Sequence, residues 1–310
     1  MKIQTIMSDD HIMPLALHYN NDDKLLFTNF LKPQVYMLDL VTNKYNKLYE
    51  CNTKGKLTGI TSDNDGFIIG VHEYDSQYLP CGKNGIWKIN NKETKVFPIH
   101  NEKVSFITSV KLIDNDVLYA LDASLGNIWY IKISTGESVL IIHSNKHIYN
   151  SYYSGLDARS VHHKREYNQS GKGLGIISMK FINIQDHKYL VMSNFSRRYN
   201  IMMKISEDYK SIIGEPSIIP NKLPQNLYLT ALDYNYSDGY LYIGTAFNND
   251  ITISMSHTIL RTKIGSGQYE KFSAQGELNS VADLVLSSNK IIVTSFNYFT
   301  LSSCILSIDM

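Results

Sequence analysis

Cysteine is scarce in this chain: Cys51, Cys81 and Cys304 are the three present in 310 residues, far apart and odd in number. None forms a C-x-x-C pair, so neither a disulfide framework nor a zinc ribbon is supported. An excess of charge is missing too. Thirty Lys+Arg against 29 Asp+Glu leave a formal net charge of +1, which argues against a dedicated nucleic-acid or membrane-surface binder. No window approaches the roughly 18 apolar residues of a spanning helix. Asp9, Asp10 and His11 stand where the apolar run of a signal peptide would lie, so a cytoplasmic protein is the expectation and the N-x-S patterns at Asn168, Asn194 and Asn235 read as chance matches. Helix signals are few, and almost no stretch of 12 or more residues repeats apolar positions at three-four spacing between a cap and a glycine stop. Neither a G-x-S-x-G elbow nor a recognisable Cys/His signature occurs.

Short strand signals fill the chain instead. Segments such as 24–30, 66–74, 127–133, 188–195, 239–247 and 290–296 are rich in Ile, Val, Tyr, Thr and Phe, and all but the first are followed directly by Asp, Ser or Asn. Twenty-two tyrosines suit half-buried pleated surfaces, with the ring packed and the hydroxyl wet. Hydrophobic residues at 43% supply a core and exclude wholesale disorder.

The strands recur as a repeat. A small or polar residue, an alternating strand, a polar turn and a second strand begin at Ala16, Gly59, Ser109, Ser178, Ala231 and Asp283. A third strand and often a fourth follow, as in 34–50, 85–99 and 127–142. A unit of four antiparallel strands every 50 residues or so is the pattern of propeller blades. The last copy stops at Met310 without a fourth strand, and the unassigned N-terminal strand (1–13) can supply it and leave no open edge. The expectation is an all-β, six-bladed β-propeller of four-stranded antiparallel blades, as a single domain over 1–310. Its blades would cover about 14–52, 53–103, 104–147, 174–224, 225–275, and 276–310 plus 1–13, with 148–173 as a long inter-blade loop. Seven blades or a β-sandwich are the alternatives.

The repeat, above all Leu118-Tyr-Ala-Leu-Asp-Ala-Ser-Leu-Gly-Asn-Ile-Trp-Tyr-Ile-Lys-Ile-Ser-Thr-Gly, resembles the SMP-30/gluconolactonase/strictosidine-synthase-like propellers. The resemblance implies a site at the mouth of the central channel, and in the lactonase members a divalent cation held by Glu, Asn and Asp at inner-strand openings. The corresponding stretches, Pro14–Ala16, Ser178 and Thr230–Ala231, carry none of these ligands. No metal and no cofactor is therefore expected.

Inner strands of such a propeller begin at one mouth, so Ala16, Gly59, Ser109, Ser178, Ala231 and Asp283 would ring it, with His18, Thr58, Thr108 and Thr230 next in line. Asp283, the single carboxylate of that ring, is the candidate general base; the alternative is a rim acceptor of hydrogen bonds. His72-Glu73 ends a strand, where one of the two could face the mouth or both could be a surface pair. The segment 149–175, with His162 and His163 beside Lys164 and Arg165, reads either as a lid over a ligand or as a solvated basic loop. Gly171-Lys-Gly-Leu-Gly precedes a β segment and lacks the strand–helix context of a phosphate loop. The function expected is small-molecule binding at the mouth, with or without metal-independent catalysis. A non-catalytic scaffold for a protein partner and a divergent metal-dependent hydrolase are the competing readings, and a monomer is expected.

Overall fold

The computed structural model describes residues 2–20, 22–53, 55–73, 85–90, 94–97, 99, 107–122, 127–142, 176–194, 199–219, 227–247, 258–272, 278–297 and 302–310. Its strands run in chain order from β1 (Ile3–Ser8) to β24 (Ser302–Asp309) and form six four-stranded antiparallel sheets. Blade one is β2 (Pro14–Asn20), β3 (Lys24–Asn29), β4 (Gln34–Asp39) and β5 (Lys44–Glu50). Blade two is β6 (Lys56–Asp63), β7 (Gly66–His72), β8 (Gly85–Asn90) and β9 (Thr94–Phe97). Blade three is β10 (Ile107–Asp114), β11 (Val117–Asp122), β12 (Asn127–Lys132) and β13 (Ser138–Ile142). Blade four is β14 (Ile176–Ile184), β15 (His187–Asn194), β16 (Tyr199–Ile205) and β17 (Ile212–Ile219). Blade five is β18 (Leu227–Asn235), β19 (Tyr240–Phe247), β20 (Ile259–Lys263) and β21 (Glu270–Lys271). Blade six is β22 (Ser280–Ser287), β23 (Lys290–Asn297) and β24, completed by β1, which pairs with β24 from Ile3↔Ile308 to Ser8↔Cys304. The innermost strands β2, β6, β10, β14, β18 and β22 each lie against the next, and β22 returns to β2. This is a six-bladed β-propeller closed by its N-terminal strand.

Burial explains why the middle is hollow. The buried apolar side chains fall into six clusters, one at each blade–blade interface. Leu57, Ile69 and Trp87 of blade two meet Leu26 and Val35 of blade one. Met179 and Ile201 of blade four meet Tyr119 and Tyr130 of blade three. Ile6 and Met7 of β1 pack with Leu17, Leu25 and Phe27 of blade one, so the closing strand is held by apolar contact as well as by its ladder. Each sheet is covered on both faces, which is why its central strands read as nearly continuous apolar runs. Polar residues of the inner strands, such as Lys111 and Asp283, lie only partly buried at the axis.

The two ends differ. Tight hairpins close one end, and left-handed residues such as Asp23 and Gly239 (φ 56° and 73°) sit in their turns. The inner strands begin at the other end, where β13 ends and β14 starts.

Candidate functional site: the mouth of the central channel

Every inner strand carries a register shift near its start: between Pro14 and Leu17, Leu57 and Gly59, Ile107 and Ser109, Ile176 and Ser178, Leu229 and Ala231, and Val281 and Asp283. A β-bulge inserts an unpaired residue and turns it out of the regular alternation, so two consecutive side chains can reach one face. All the inserted residues, Leu15, Ala16, Thr58, Thr108, Ile177, Thr230 and Ala282, line one cavity of about 210 Å³ at the mouth. Gly59, Ser109, Ser178 and Asp283, the residues after the bulges, line it too, and so does Lys111. A Cβ at Gly59 would meet the Val110 nitrogen at 3.0 Å and the Ser109 Cα at 3.2 Å, so only glycine lets blade two come this close to blade three.

The hydroxyls at the mouth divide into two kinds. Thr58 Oγ1 donates to the carbonyl of Ile107 in the next blade, and Thr230 Oγ1 donates to that of Val281 at 2.5 Å. Thr294 Oγ1 accepts the Asp283 amide at 2.7 Å and donates to the carbonyl of Leu15 at 3.0 Å. These threonines satisfy backbone groups that the bulges release from the ladder. Thr108, Ser109 and Ser178 make no such bond among the described residues; the Thr108 hydroxyl is enclosed, and those of Ser109 and Ser178 are the ones a ligand could use.

Asp283 lies on the cavity wall with Oδ2 accepting the Leu17 amide at 2.7 Å and Oδ1 the Leu284 amide at 2.8 Å. Burial pushes its carboxyl above the ordinary value, against the pull of the Lys111 ammonium and the two amides, while Asp233 pushes it further up. A carboxyl held high can exchange a proton nearer neutrality than a free aspartate.

The predicted set is only partly gathered here. Asp283, Thr58, Thr108, Ser109, Ser178 and Thr230 share the mouth cavity. Ala231 does not, because it is fully buried between blades five and six. His18 does not either. Two residues along β2 from Ala16, it lines a second cavity of about 500 Å³ that extends toward the hairpin end of the inner strands, with Nε2 at 2.8 Å from Ser62 Oγ. Burial and the ammonium groups of Lys111 and Lys180, only partly offset by Asp233, push its pKa down to about 3. The surface-pair reading of His72-Glu73 needs correction: His72 is fully buried at the end of β7, and neither residue lines the mouth. His162 and His163, and the segment 148–173 with them, lie outside the described residues.

Sequence reasoning missed Lys111, Lys180 and Asp233. The signal was the period of two: counting two residues on from 16, 59, 109, 178, 231 and 283 gives His18, Thr61, Lys111, Lys180, Asp233 and Val285, all of which line the second cavity.

The donor set does not suit the divalent cation that the SMP-30-like resemblance implies. Asp283 is the one carboxylate among the described residues lining the mouth, both its oxygens already accept amides, and an ammonium lies on the same wall. A hard cation calls for several oxygen ligands, preferably charged.

No family model matches the chain and no curated protein matches it in sequence. Solved structures do match along its whole length. A luciferin-regenerating enzyme superposes with a TM-score of 0.66 at 9% identity, covering 100% of this chain and 95% of that one. A calcium-binding regucalcin from Agrobacterium tumefaciens str. C58 gives 0.65 at 8% identity, with 98% and 93% covered. A catalytically inactive virginiamycin B lyase from Staphylococcus aureus with quinupristin gives 0.58 at 13% identity, with 99% of each chain covered. The likeness is one of architecture: this chain has the six-bladed β-propeller fold of these structures, which the SMP-30/gluconolactonase-like blade pattern implied.

Proposed function

We propose that this protein binds a small molecule at the mouth of its central channel without a metal ion, and that Asp283 is the acid–base group of that site. One observation carries the reading: six strands scattered between residues 14 and 287 turn their bulged residues into a single cavity. In that reading Ser109 and Ser178 hydrogen-bond a polar ligand, Thr108 lines the wall beside them, Lys111 attracts a negative or carbonyl oxygen, and Asp283 takes up or returns a proton. At about 210 Å³ the cavity suits a compact ligand with hydroxyl or carbonyl groups, of the size of a lactone or a sugar acid. The luciferin-regenerating enzyme and the lyase with quinupristin support an enzymatic use of this architecture, although a fold by itself selects no chemistry.

A thermal-shift screen over lactones, sugar acids and alkaloid-like amines, repeated with Asp283→Asn, tests the proposal. The expected result is a saturable rise in melting temperature for one class, with affinity at least about tenfold weaker in the variant, or about 1.4 kcal/mol. If no class shifts a well-folded wild type, the binding site is refuted and the scaffold for a protein partner is the better reading.

A further inference from the structure

The second tier of the channel is a separate chamber with its own electrostatics. It is lined by His18, Lys111, Lys180, Asp233, Tyr236 and Ser62, among others, and Lys111 is the one residue common to this chamber and the mouth cavity. Among the described residues of the lining, two ammonium groups face a single carboxylate. Asp233 is already committed: Oδ1 meets Lys180 Nζ at 2.5 Å and accepts the Tyr234 amide, and Oδ2 accepts the Leu286 amide at 2.9 Å. Lys111 has no ion pair or hydrogen bond among the described residues; Asp283, whose oxygens accept backbone amides, attracts it without touching it. The Tyr236 phenol oxygen accepts the Asn183 amide at 3.2 Å, which leaves its own O–H to donate.

Among the described residues of its lining, the chamber carries two ammonium groups and one carboxylate, and that carboxylate is already paired with Lys180. Lys111 is partly buried, with Asp283 attracting it from the mouth side and no described carboxylate in direct contact, and an anion in the chamber would supply that contact. We propose that this chamber is a second binding site, for a small anion bearing a phosphate or carboxylate group, with Lys111 as its counter-charge and Tyr236 as a neutral donor. Apart from Lys111, which it shares with the mouth, the site is built from the residues one strand-period further along the inner strands.

Inorganic phosphate and citrate are the probes, titrated by calorimetry and thermal shift at ionic strength held constant with sodium chloride. The expected result is saturable binding to the wild type, weakened at least tenfold in Lys111→Met and restored in Lys111→Arg. Because Lys111 touches both cavities, plugging variants locate the anion: Ser62→Phe abolishes the binding and Ser178→Phe leaves it. Absence of saturable binding to the wild type overturns the proposal whatever the variants do. So does binding that survives in folded Lys111→Met, or binding lost in Ser178→Phe but kept in Ser62→Phe.

Discussion

His18 is surrounded by groups that deny it a proton. Burial disfavours its charged form, Lys111 and Lys180 repel a positive imidazole, and Asp233 compensates only in part, so its pKa falls from 6.5 to about 3. Between those values the unfolded chain binds a proton that the folded chain refuses. The contribution of His18 is fully present above about pH 6.5 and is lost progressively as pH falls toward about 3. Asp283 works in the opposite sense. Its folded pKa is raised from 3.8, so just above that value the folded state keeps a proton the unfolded state has released, and its contribution declines as pH rises. Urea unfolding at a series of pH values separates the two. His18→Gln should cut the loss of stability between about pH 6.5 and pH 5 by up to about 2 kcal/mol. Equal acid slopes in variant and wild type would mean that His18 meets water in the folded protein.

Strand pairing, not side-chain chemistry, sets the shape of the mouth. Each inner strand would otherwise alternate strictly; the bulge lets Thr58 and Gly59, or Thr108 and Ser109, face the axis together. That geometry separates two classes of hydroxyl which composition alone makes equivalent. Thr58→Val and Thr230→Val leave the carbonyls of Ile107 and Val281 without these donors and should each cost about 1–3 kcal/mol. Ser109→Ala and Ser178→Ala remove hydroxyls with no described partner and should stay within about 0.5 kcal/mol. Chemical denaturation of the four variants decides, and equal costs in both classes would remove the distinction between staple and site. The hairpins were readable from sequence because Asp, Asn and Gly mark their turns, as around Asp23 and Gly239. The bulges were not: an inserted residue leaves no compositional mark beyond the threonine before the small residue in three copies. The alternation rule therefore placed Ala231 at the mouth, whereas the fold buries it.

On the scale of the whole molecule, the ring was legible because repetition is a global signal. Six equivalent hairpins and a missing last strand specify closure by β1, and Ile6 and Met7 pack where that closure requires. The contents of the channel were less legible, since Lys111, Lys180 and Asp233 look in sequence like ordinary solvated strand residues. Only the closed ring turns them toward one axis. A crystallographic fragment soak of the wild-type protein with polar compounds of lactone and sugar-acid size tests whether this convergence makes the mouth a binding cavity. Ordered density bounded by Thr108, Ser178 and Asp283, with hydrogen bonds to the Ser109 or Ser178 hydroxyl, is the expected result. Fragments that cluster elsewhere while the mouth holds only water would contradict it.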